Sequence, residues 1–380
     1  MSNWKEYRFS DFVSINPSVK LKKGEVYSFV EMKDLNDGQK FCEPNAEREL
    51  GGGARFQTGD TLFARITPCL ENGKICQVKK LKNNVGFGST EFHVFRGKND
   101  VSDTDFVFYL SRWDEVRGFA EMNFDGTSGR QRVPKESFDN LYLNLPPLPE
   151  QKIIASLLSC LDEKIDLLHR NNESLEQLAE TLFRQWFQEE QNEWEEKPID
   201  KIANFLNGLA CQKFPHKSGS YLSVIKIKEL RTGFTAATDK ASISVPEKYV
   251  VDNGDILFSW SGSLEVIIWP FGKGILNQHL FKVTSNEYPK WFYYLWCKYH
   301  LTEFRQIAID KATTMGHIQR HHLTEATVVI PPPHVFKKMD KVVAPLIEKI
   351  ISNNKQMQNL ELLRDTYLSK LMSGEAKVKI

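Results

Sequence analysis

The sequence LPPLPEQKIIASLLSCLDEKIDLLHRNNESLEQLAETLFRQWF, residues 145–187, decides the architecture of this chain. Between residues 150 and 187 it holds neither glycine nor proline, and apolar residues recur at alternating spacings of four and three. Such spacings place the apolar side chains on one stripe of an α-helix and are typical of a coiled-coil seam. At ~1.5 Å of rise per residue, a helix of this length spans ~57 Å. The predicted seam consists of Ile154, Leu158, Leu161, Ile165, Leu168, Asn172, Leu175, Ala179, Leu182 and Trp186.

A second copy of this helical pattern closes the chain behind another proline cluster, IPPPHVF at 330–336. Two such helices in one chain can bury each other's apolar stripe, and we predict that they pair antiparallel; the alternative is that each helix packs onto its own domain. Asn172 and Asn353 suit register control, because a buried amide is satisfied only by a matching partner. We expect Arg364 to fray the second helix. The second seam consists of Met339, Val343, Leu346, Ile350, Asn353, Met357, Leu360, Arg364, Tyr367 and Leu371.

The segments that precede the two helices are also duplicated. The first copy begins at Trp4 and the second at Trp194. Both are rich in Val, Ile and Phe, alternate apolar with polar residues and contain Gly-Asp and Asn-Gly pairs, which is typical of strands joined by turns. Some helix is interleaved, as at 105–118. The matched pairs are YSFVEMKDL (27–35) with LSVIKIKEL (222–230), FQTGDTLFARI (56–66) with VVDNGDILFSW (250–260), STEFHVF (89–95) with QHLFKVT (278–284), DFVFYLSRW (105–113) with KWFYYLWCK (290–298), and TSGRQRV (127–133) with TMGHIQR (314–320).

The duplication predicts an α/β (α+β) fold with two strand-rich domains, separated by two long antiparallel coiled-coil helices and related by a pseudo-twofold axis. The expected division is 1–149 for the first domain, 150–187 for the first helix, 188–333 for the second domain, 334–373 for the second helix and 374–380 for a tail.

Composition points to a soluble protein of the cytoplasm. Of 380 residues, 41% are hydrophobic and 26% charged, no run of ~18 apolar residues occurs, and the start MSNWKEYRFSDF does not resemble a signal peptide. The six cysteines contain no C-x-x-C pair, so we expect reduced thiols. A net charge of +1 supports nucleic-acid binding only weakly, and a DNA-facing patch must therefore arise from folding.

The motifs that an enzyme would need are weak in this sequence. Gly272-Lys273-Gly274 lacks the spacing and the hydroxyl of a phosphate-binding loop, and Gly51-Gly52-Gly53 is better interpreted as a flexible loop than as a cofactor turn. Asp11 and Glu31 could hold Mg²⁺ in a nuclease, but the second copy has Lys226 where the first has Glu31.

A cluster of histidines in the second copy admits two interpretations. His317, His321 and His322 could ligate zinc, but no well-spaced cysteine or carboxylate completes a tetrahedral site. We favour a loop near DNA.

At this point the sequence resembles the specificity subunits of Type I restriction-modification systems over essentially its whole length. The resemblance is carried by the order and duplication of several segments. These are GDTLFARITPCLENGK (59–74), GSTEFHVFR (88–96), TSGRQRV (127–133), the proline-helix segment at 145–187 and the closing segment at 346–378. The second copy departs from the pattern, with SWSGSLEVIIWPFGK for ARITPCLENGK and QHLF for STEF, which leaves its particular contacts in doubt.

The resemblance implies two target recognition domains, each reading one half of a split DNA sequence, with helices that act as a spacer and dock two modification subunits. It implies that methyl transfer from S-adenosylmethionine and ATP-driven cleavage, with Mg, belong to partner subunits, so that this chain catalyses nothing and binds no cofactor. Since a base must leave the stack to be methylated, a separate base-flipping enzyme is expected at each half-site. Whether restriction (endonuclease and translocase) subunits also bind stays open.

Residues that could contact double-stranded DNA gather where the copies align. Cations fix phosphates, and amides, hydroxyls and guanidinium groups reach base edges, although each residue taken singly could equally be a solvated surface residue. The candidates are Arg65, Thr67, Asn72, Lys74, Ser89, Thr90, Arg130, Gln131 and Arg132 in the first domain, and Trp260, Ser261, Lys273, Gln278, His279, His317, Gln319 and Arg320 in the second.

Two rival functions differ from this one in class. One is a self-sufficient restriction-methylation enzyme, against which length argues, because the domains and helices use all 380 residues. The other is a scaffold that joins partners by its coiled coil without contacting DNA.

Overall fold

The structure, a computed structural model, describes residues 3–127, 129–188, 194–216, 219–235, 237–310 and 316–378. The chain divides into two units, each with its own core. The first unit comprises residues 1–167 and 359–380, and the second comprises residues 168–358. Each unit therefore combines one strand-rich segment with parts of both long helices.

The elements of the first unit alternate short strands with turns, as the sequence pattern predicts. The strands are β1 (Lys5–Arg8), β2 (Val13–Ile15), β3 (Val26–Val30), β4 (Phe41–Cys42), β5 (Ala46–Glu49), β6 (Ala54–Gln57), β7 (Thr61–Ala64), β8 (Ile75–Val78), β9 (Val85–Gly88), β10 (Phe92–Gly97) and β11 (Tyr142–Leu145). The helices are α1 (Phe9–Phe12), α2 (Thr104–Arg112), α3 (Asp114–Met122) and the start of α4 (Leu148–Gln188), with 3-10 turns at Met32–Asp34, Lys82–Asn84 and Lys135–Asn140.

Two sheets form the body of this unit. One has the order β2-β10-β7-β8-β4 and the other β5-β3-β9-β6, while β1 pairs with β11. All four residues of β7 are buried because it is a central strand covered on both faces, and three of the four are apolar. The core between the sheet and α2 is aromatic, with Phe9, Phe63, Phe95 and Phe138 in mutual ring contact.

The second unit repeats this order of elements. Its strands are β12 (Glu195–Pro198), β13 (Asn204–Asn207), β14 (Tyr221–Ile225), β15 (Lys240–Ser242), β16 (Val250–Val251), β17 (Ile256–Ser259), β18 (Val266–Ile268), β19 (Gly274–Leu276), β20 (Leu280–Thr284) and β21 (Thr327–Ile330). Its helices are α5 (Ile199–Ile202), α6 (Glu229–Thr232), α7 (Lys290–Asp310), α8 (Arg320–Glu325) and most of α9 (Pro333–Met372), with 3-10 turns at Cys211–Lys213 and Glu247–Tyr249.

Strand pairing confirms the predicted duplication. The sheets of the second unit have the orders β13-β20-β17-β18 and β15-β14-β19-β16, and β12 pairs with β21 as β1 does with β11. Ser28 lies opposite Gly86 in the parallel pair of the first unit, and Ser223 lies opposite Gly274 in that of the second. The long helix α7 follows β20 where the first unit has the shorter α2 and α3.

Within the first unit the two long helices run antiparallel. Asp162 of α4 contacts Arg364 of α9, while Leu158, which precedes Asp162, shares a core with Leu368 and Leu371, which follow Arg364. The expectation that Arg364 frays α9 is wrong. Its side chain is only 3% exposed and ion-paired, and the helix continues to Met372.

Within the second unit the helices meet through amides. Asn172 donates a hydrogen bond to Asn354 Oδ1 at 2.7 Å, and Asn353 Nδ2 donates to Asn171 and Asn172 at 2.9 and 2.8 Å. Each helix also packs on its own domain: Ile154 and Leu158 of α4 join the core of the first domain, and Met339 and Val343 of α9 join that of the second. The two packing alternatives are therefore not exclusive.

The predicted seam residues divide by burial. Buried members are Ile154, Leu158, Ile165, Leu168, Ala179, Met339, Val343, Ile350, Asn353, Met357, Arg364 and Leu371. Members of intermediate exposure are Leu161, Asn172, Leu175, Leu182, Trp186, Leu346 and Leu360, and Tyr367 is exposed. Phe183, Ile347 and Leu368 are buried one residue further on, because the helix also faces its domain. None of the helices in the described ranges has the length and apolar character needed to cross a bilayer.

Candidate nucleic-acid interface

Main-chain hydrogen bonds gather three loops of the first unit around Arg65, the residue after β7. The Arg65 amide donates to the carbonyl oxygen of Glu91 at 3.0 Å, and the Val133 amide donates to the carbonyl of Arg65 at 2.8 Å. Two residues further on, the Thr67 amide donates to the carbonyl of Gln131 at 3.0 Å. The candidate loops at 65–74, 89–91 and 127–133 thus converge, apart from Ser128, which lies outside the described residues.

The second unit makes the same three bonds around Trp260, the residue after β17. The Trp260 amide donates to the carbonyl of His279 at 3.3 Å, and the Ile318 amide donates to the carbonyl of Trp260 at 2.9 Å. The Gly262 amide donates to the carbonyl of Gly316 at 2.8 Å. Trp260 is therefore the structural counterpart of Arg65.

These bonds correct the alignment of the two loops that follow. The sequence-based pairing places Glu91 against Leu280, one residue from its true counterpart. It places Arg132 against Gln319, two residues from its true counterpart. Glu91 corresponds to His279, because both accept the bond from the residue after the strand. Arg132 corresponds to His317, since each forms an isolated bridge to the residue that follows Arg65 or Trp260. A shift of one residue along a strand turns every side chain to the opposite face, so the correction changes which side chains share a surface.

In the first unit, Arg132 is held by Glu91, whereas no side chain in the described part of the chain holds Arg65. Arg132 donates from Nε and Nη2 to the two carboxylate oxygens of Glu91 at 2.8 and 2.7 Å, which lowers the pKa of Glu91. The Nε of Arg65 is buried and has no hydrogen-bond partner among the described residues. A buried donor without a partner is costly.

Arg65 lines an open groove of about 580 Å³ together with Asn16, Arg55 and Thr90. The rim includes the last residue of the glycine run that the sequence suggested to be a flexible loop. Gly53 has φ +140°, and a Cβ on it would lie 1.9 Å from the carbonyl oxygen of Gly88. Only glycine allows this close approach of the two chain segments.

The remaining candidates of the first unit are partly committed to the protein. Lys74 Nζ donates to the carbonyl of Met32 at 2.7 Å, which directs its charge inward. Ser89 Oγ accepts from the amide of Glu91, and Thr67 Oγ1 accepts from that of Gln131, so both hydroxyls stabilise the loops.

The other three candidates in this unit differ in exposure, and Gln131 is half-buried. Arg130 is exposed. Asn72 is half-buried within the turn at 68–74, where its amide donates to Pro68.

In the second unit an aromatic cluster occupies the equivalent place. The indole of Trp260 lies 5.7 Å from the imidazole of His279 and 6.5 Å from that of His317, measured between ring centroids. Ser261 Oγ is hydrogen-bonded to His279 Nδ1 at 3.1 Å. Trp260 Nε1 donates to Asn207 Oδ1 at 3.0 Å, so its N–H group is used within the protein, and the residue as a whole is half-buried.

Other candidates of the second unit stand outside this cluster. Gln319 precedes α8, and its amide donates to His322 Nδ1 at 2.9 Å. Arg320 lines a different groove with Asp200. Lys273 is exposed between β18 and β19, and Gln278 is half-buried beside His279. Thr314 and Met315 of the predicted loop lie outside the described residues.

The metal and nuclease alternatives find little support in the geometry. His321, His322 and Glu325 bring ligand atoms within 4.8 Å of one another, but no fourth such ligand joins them in the part of the chain that is described, and His317 is not in the group. Asp11 and Glu31 belong to separate ion pairs, Asp11 with Arg8 and Glu31 with Arg48 and Lys33.

Sequence reasoning missed the residues that support the Arg65 loop. His93 is buried; its Nε2 donates to the carbonyl of Val133 at 2.8 Å, and its Nδ1 accepts from Asn16 Nδ2 at 3.3 Å. Burial disfavours the charged imidazole and lowers the pKa of His93 to about 4. Glu91 and His93 both lie in the segment GSTEFHVFR, where the hydroxyls of Ser89 and Thr90 drew attention instead.

Comparison with known proteins places these features in a family context. Residues 1–177 and 191–362 match a family model described as the Type I restriction modification DNA specificity domain. The Type I restriction enzyme MjaIX specificity subunit of Methanocaldococcus jannaschii is 24% identical over 397 residues, covering 96% of this chain and 90% of that protein. The HindI specificity subunit of Haemophilus influenzae is 22% identical, covering 99% of this chain and all of that protein (100%).

A solved structure supports the fold. The crystal structure of the S subunit of a Type I restriction-modification system from M. genitalium matches with a TM-score of 0.51 and 16% identity, covering 98% of this chain and 96% of that one.

Proposed function

Because the chain belongs to the Type I restriction-modification DNA specificity family, as the sequence resemblance predicted, we propose that its two units read the two halves of one split DNA target. One observation carries this proposal. The same three main-chain bonds hold loops around Arg65 and around Trp260, while the side chains presented there differ completely. Since base identity is read by side chains that reach base edges, unlike readers require unlike half-sites, and the target is asymmetric.

The chemistry belongs to partners in this proposal. Two modification subunits, which use S-adenosylmethionine, dock on the chain, and any restriction subunits supply ATP- and Mg-dependent cleavage. The chain itself is non-catalytic, binds no cofactor and works in the cytoplasm. Exposed apolar side chains on the long helices support docking: Leu157 and Leu362 are 44% and 70% exposed in the first unit, and Leu178 is 47% exposed in the second.

Sequencing of methylated DNA tests the proposal. Cells that express the chain with its modification subunit should carry methylated adenine in one split, asymmetric motif with a constant gap. Binding of the complex to that duplex should exceed binding to scrambled duplexes and should weaken with salt. The isolated chain should not bind S-adenosylmethionine. Absence of any motif, or equal binding to all duplexes, contradicts the proposal and favours a scaffold.

A variant of α4 tests its role as spacer. Four residues inserted within 175–182 add ~6 Å of helix rise and should lengthen the gap while leaving both half-sites unchanged. The matched control is an insertion of equal length between the exposed residues Asn99 and Asp100, which should alter neither gap nor bases. A constant gap with changed bases in the α4 variant would refute the spacer role.

A further inference from the structure

Three equivalent positions carry charged side chains in the first unit and aromatic side chains in the second. We call Arg65, Glu91 and Arg132 the first triad, and define the second triad as Trp260, His279 and His317. Main-chain hydrogen bonds and bridges hold both triads in the same arrangement, and none of these bonds involves a side chain. A change of side chain therefore leaves these main-chain bonds in place.

The charges of the first triad do not cancel. Glu91 is bound through both carboxylate oxygens by Arg132, so its charge is matched by that guanidinium. Arg65 remains as an uncompensated cation, with a buried Nε that lacks a partner among the described residues. Its charge nevertheless acts on its neighbours, because it contributes to lowering the pKa of both Glu91 and His93.

The surroundings of Arg65 suit a base edge. The groove of about 580 Å³ is open and brings Thr90 and a second guanidinium, Arg55, beside it, while the amide of Asn16 is bound to His93 and Val94. A guanidinium in the major groove most often donates two hydrogen bonds to O6 and N7 of guanine. The groove thus offers one unpaired fork of donors, with other polar groups beside it.

We propose that Arg65 is a specificity-determining residue that reads a guanine of the first half-site, and that the Glu91–Arg132 ion pair positions it. This inference rests on the proposed function, in which the first unit contacts one half-site. Without Arg132, the carboxylate of Glu91 would be free to bind Arg65 and draw its guanidinium out of the groove. At the equivalent place Trp260 presents a ring face, so the second half-site receives an apolar contact there.

The experiment uses the complex of the full chain with its modification subunit and the duplex found by methylation sequencing. Each guanine of the target is replaced in turn by 7-deazaguanine, which lacks the N7 acceptor. The wild-type complex should lose affinity for one substituted guanine of the first half-site. Arg65→Ala should weaken binding to the unmodified duplex by about 10- to 100-fold and should show no further loss on that substituted duplex.

Two further variants separate reading from phosphate binding and from misfolding. Arg65→Lys keeps the charge but loses the planar fork, so it should bind DNA more tightly than Arg65→Ala and show a smaller loss on the 7-deazaguanine duplex than the wild type does. Arg117→Ala is the matched control, because Arg117 is an arginine of the same unit that lies on α3, outside the three loops around Arg65. It should leave both the affinity and the sensitivity to 7-deazaguanine unchanged.

The positioning role predicts a rescue. Arg132→Gln should reduce discrimination much as Arg65→Ala does, and the double variant Glu91→Gln with Arg132→Gln should restore it, because the competing carboxylate is gone. The inference is overturned if Arg65→Ala keeps the sensitivity to 7-deazaguanine, or if the double variant discriminates no better than Arg132→Gln. A wild-type complex that prefers no split target would instead contradict the proposed function.

Discussion

Replacement of Arg364 by methionine tests how the long helices are held in the first unit. Arg364 Nη1 donates to Asp162 Oδ1 at 2.8 Å and to the carbonyl of Gly38 at 2.6 Å, and the two ion-paired side chains are 3% and 1% exposed. The other oxygen of Asp162 accepts from the hydroxyl of Tyr109 at 2.6 Å. Burial raises the pKa of Tyr109, so this hydroxyl stays protonated and keeps donating.

The magnitude follows from what each variant leaves behind. Arg364→Met strands the buried carboxylate of Asp162 with one hydroxyl donor, which should cost about 3–5 kcal/mol. The double variant Asp162→Ile with Arg364→Met removes both charges and leaves mainly the hydroxyl of Tyr109 without its acceptor, so it should cost about 1–3 kcal/mol. Addition of Tyr109→Phe should bring the triple variant within about 1 kcal/mol of the wild type. The two helical patterns match when one is shifted by about 185 residues, so Asp162 corresponds to Ile347 and Arg364 to Ala179. Both of these apolar residues are buried in the core of the second unit.

Hydrogen exchange of peptides from 155–167 measures these costs locally, which matters in a chain with two units. The matched control is Arg117→Ala, since Arg117 forms a half-exposed ion pair with Glu121 one helical turn away. It should cost less than about 0.5 kcal/mol. The reasoning is refuted if Arg364→Met costs no more than Arg117→Ala, or if the double variant costs as much as the single one.

Two other predictions concern buried polar groups. His93 has its pKa lowered from 6.5 to about 4, so below pH 6.5 the unfolded chain binds a proton that the folded chain excludes. Stability is therefore full above pH 6.5 and falls as the pH drops towards 4, by about 2 kcal/mol at pH 5. His93→Phe, which copies Phe281 of the second unit, should remove this loss; urea unfolding at pH 7 and 5 measures it, and an unchanged pH dependence contradicts it. Asn353→Leu removes two hydrogen bonds to Asn171 and Asn172 and should cost about 1–2 kcal/mol, seen as faster exchange in peptides from 346–358. Exchange at the wild-type rate would count against that role.

The strands could be predicted because their pattern is local and appears twice. Ser28 and Ser223, matched by sequence alone, hold the same position in their parallel pairs. The loops after them could not be aligned, because alternation of apolar and polar residues does not reveal how many residues a loop gains or loses. Only the hydrogen bonds of Glu91 and His279 show which residues correspond.

The long helices show a second limit of pattern reading. A seam spaced by four and three assumes one partner helix, whereas Phe183 and Leu368 are buried because each helix also faces a domain. When the partner of a cation at a seam position is unknown, the sequence suggests that the helix frays there, as it did for Arg364. The partner of Arg364 is Asp162, 202 residues earlier in the chain, and no local pattern links the two.

A residue proposed to read DNA differs from a supporting residue in which of its groups, main chain or side chain, hold the loop. The main-chain bonds that hold Arg65 in place come from its own amide and carbonyl groups, so a new side chain there leaves those bonds intact. Trp260 has the same main-chain bonds, and its indole adds a hydrogen bond to Asn207. His93 differs, because its imidazole itself carries a hydrogen bond to Val133 in the same loop. Substitution at the first kind of position should change which bases are read, and substitution at the second should change stability. The same main-chain bonds hold a charged triad in one unit and an aromatic triad in the other. Such an arrangement allows a chain to alter its DNA target without refolding.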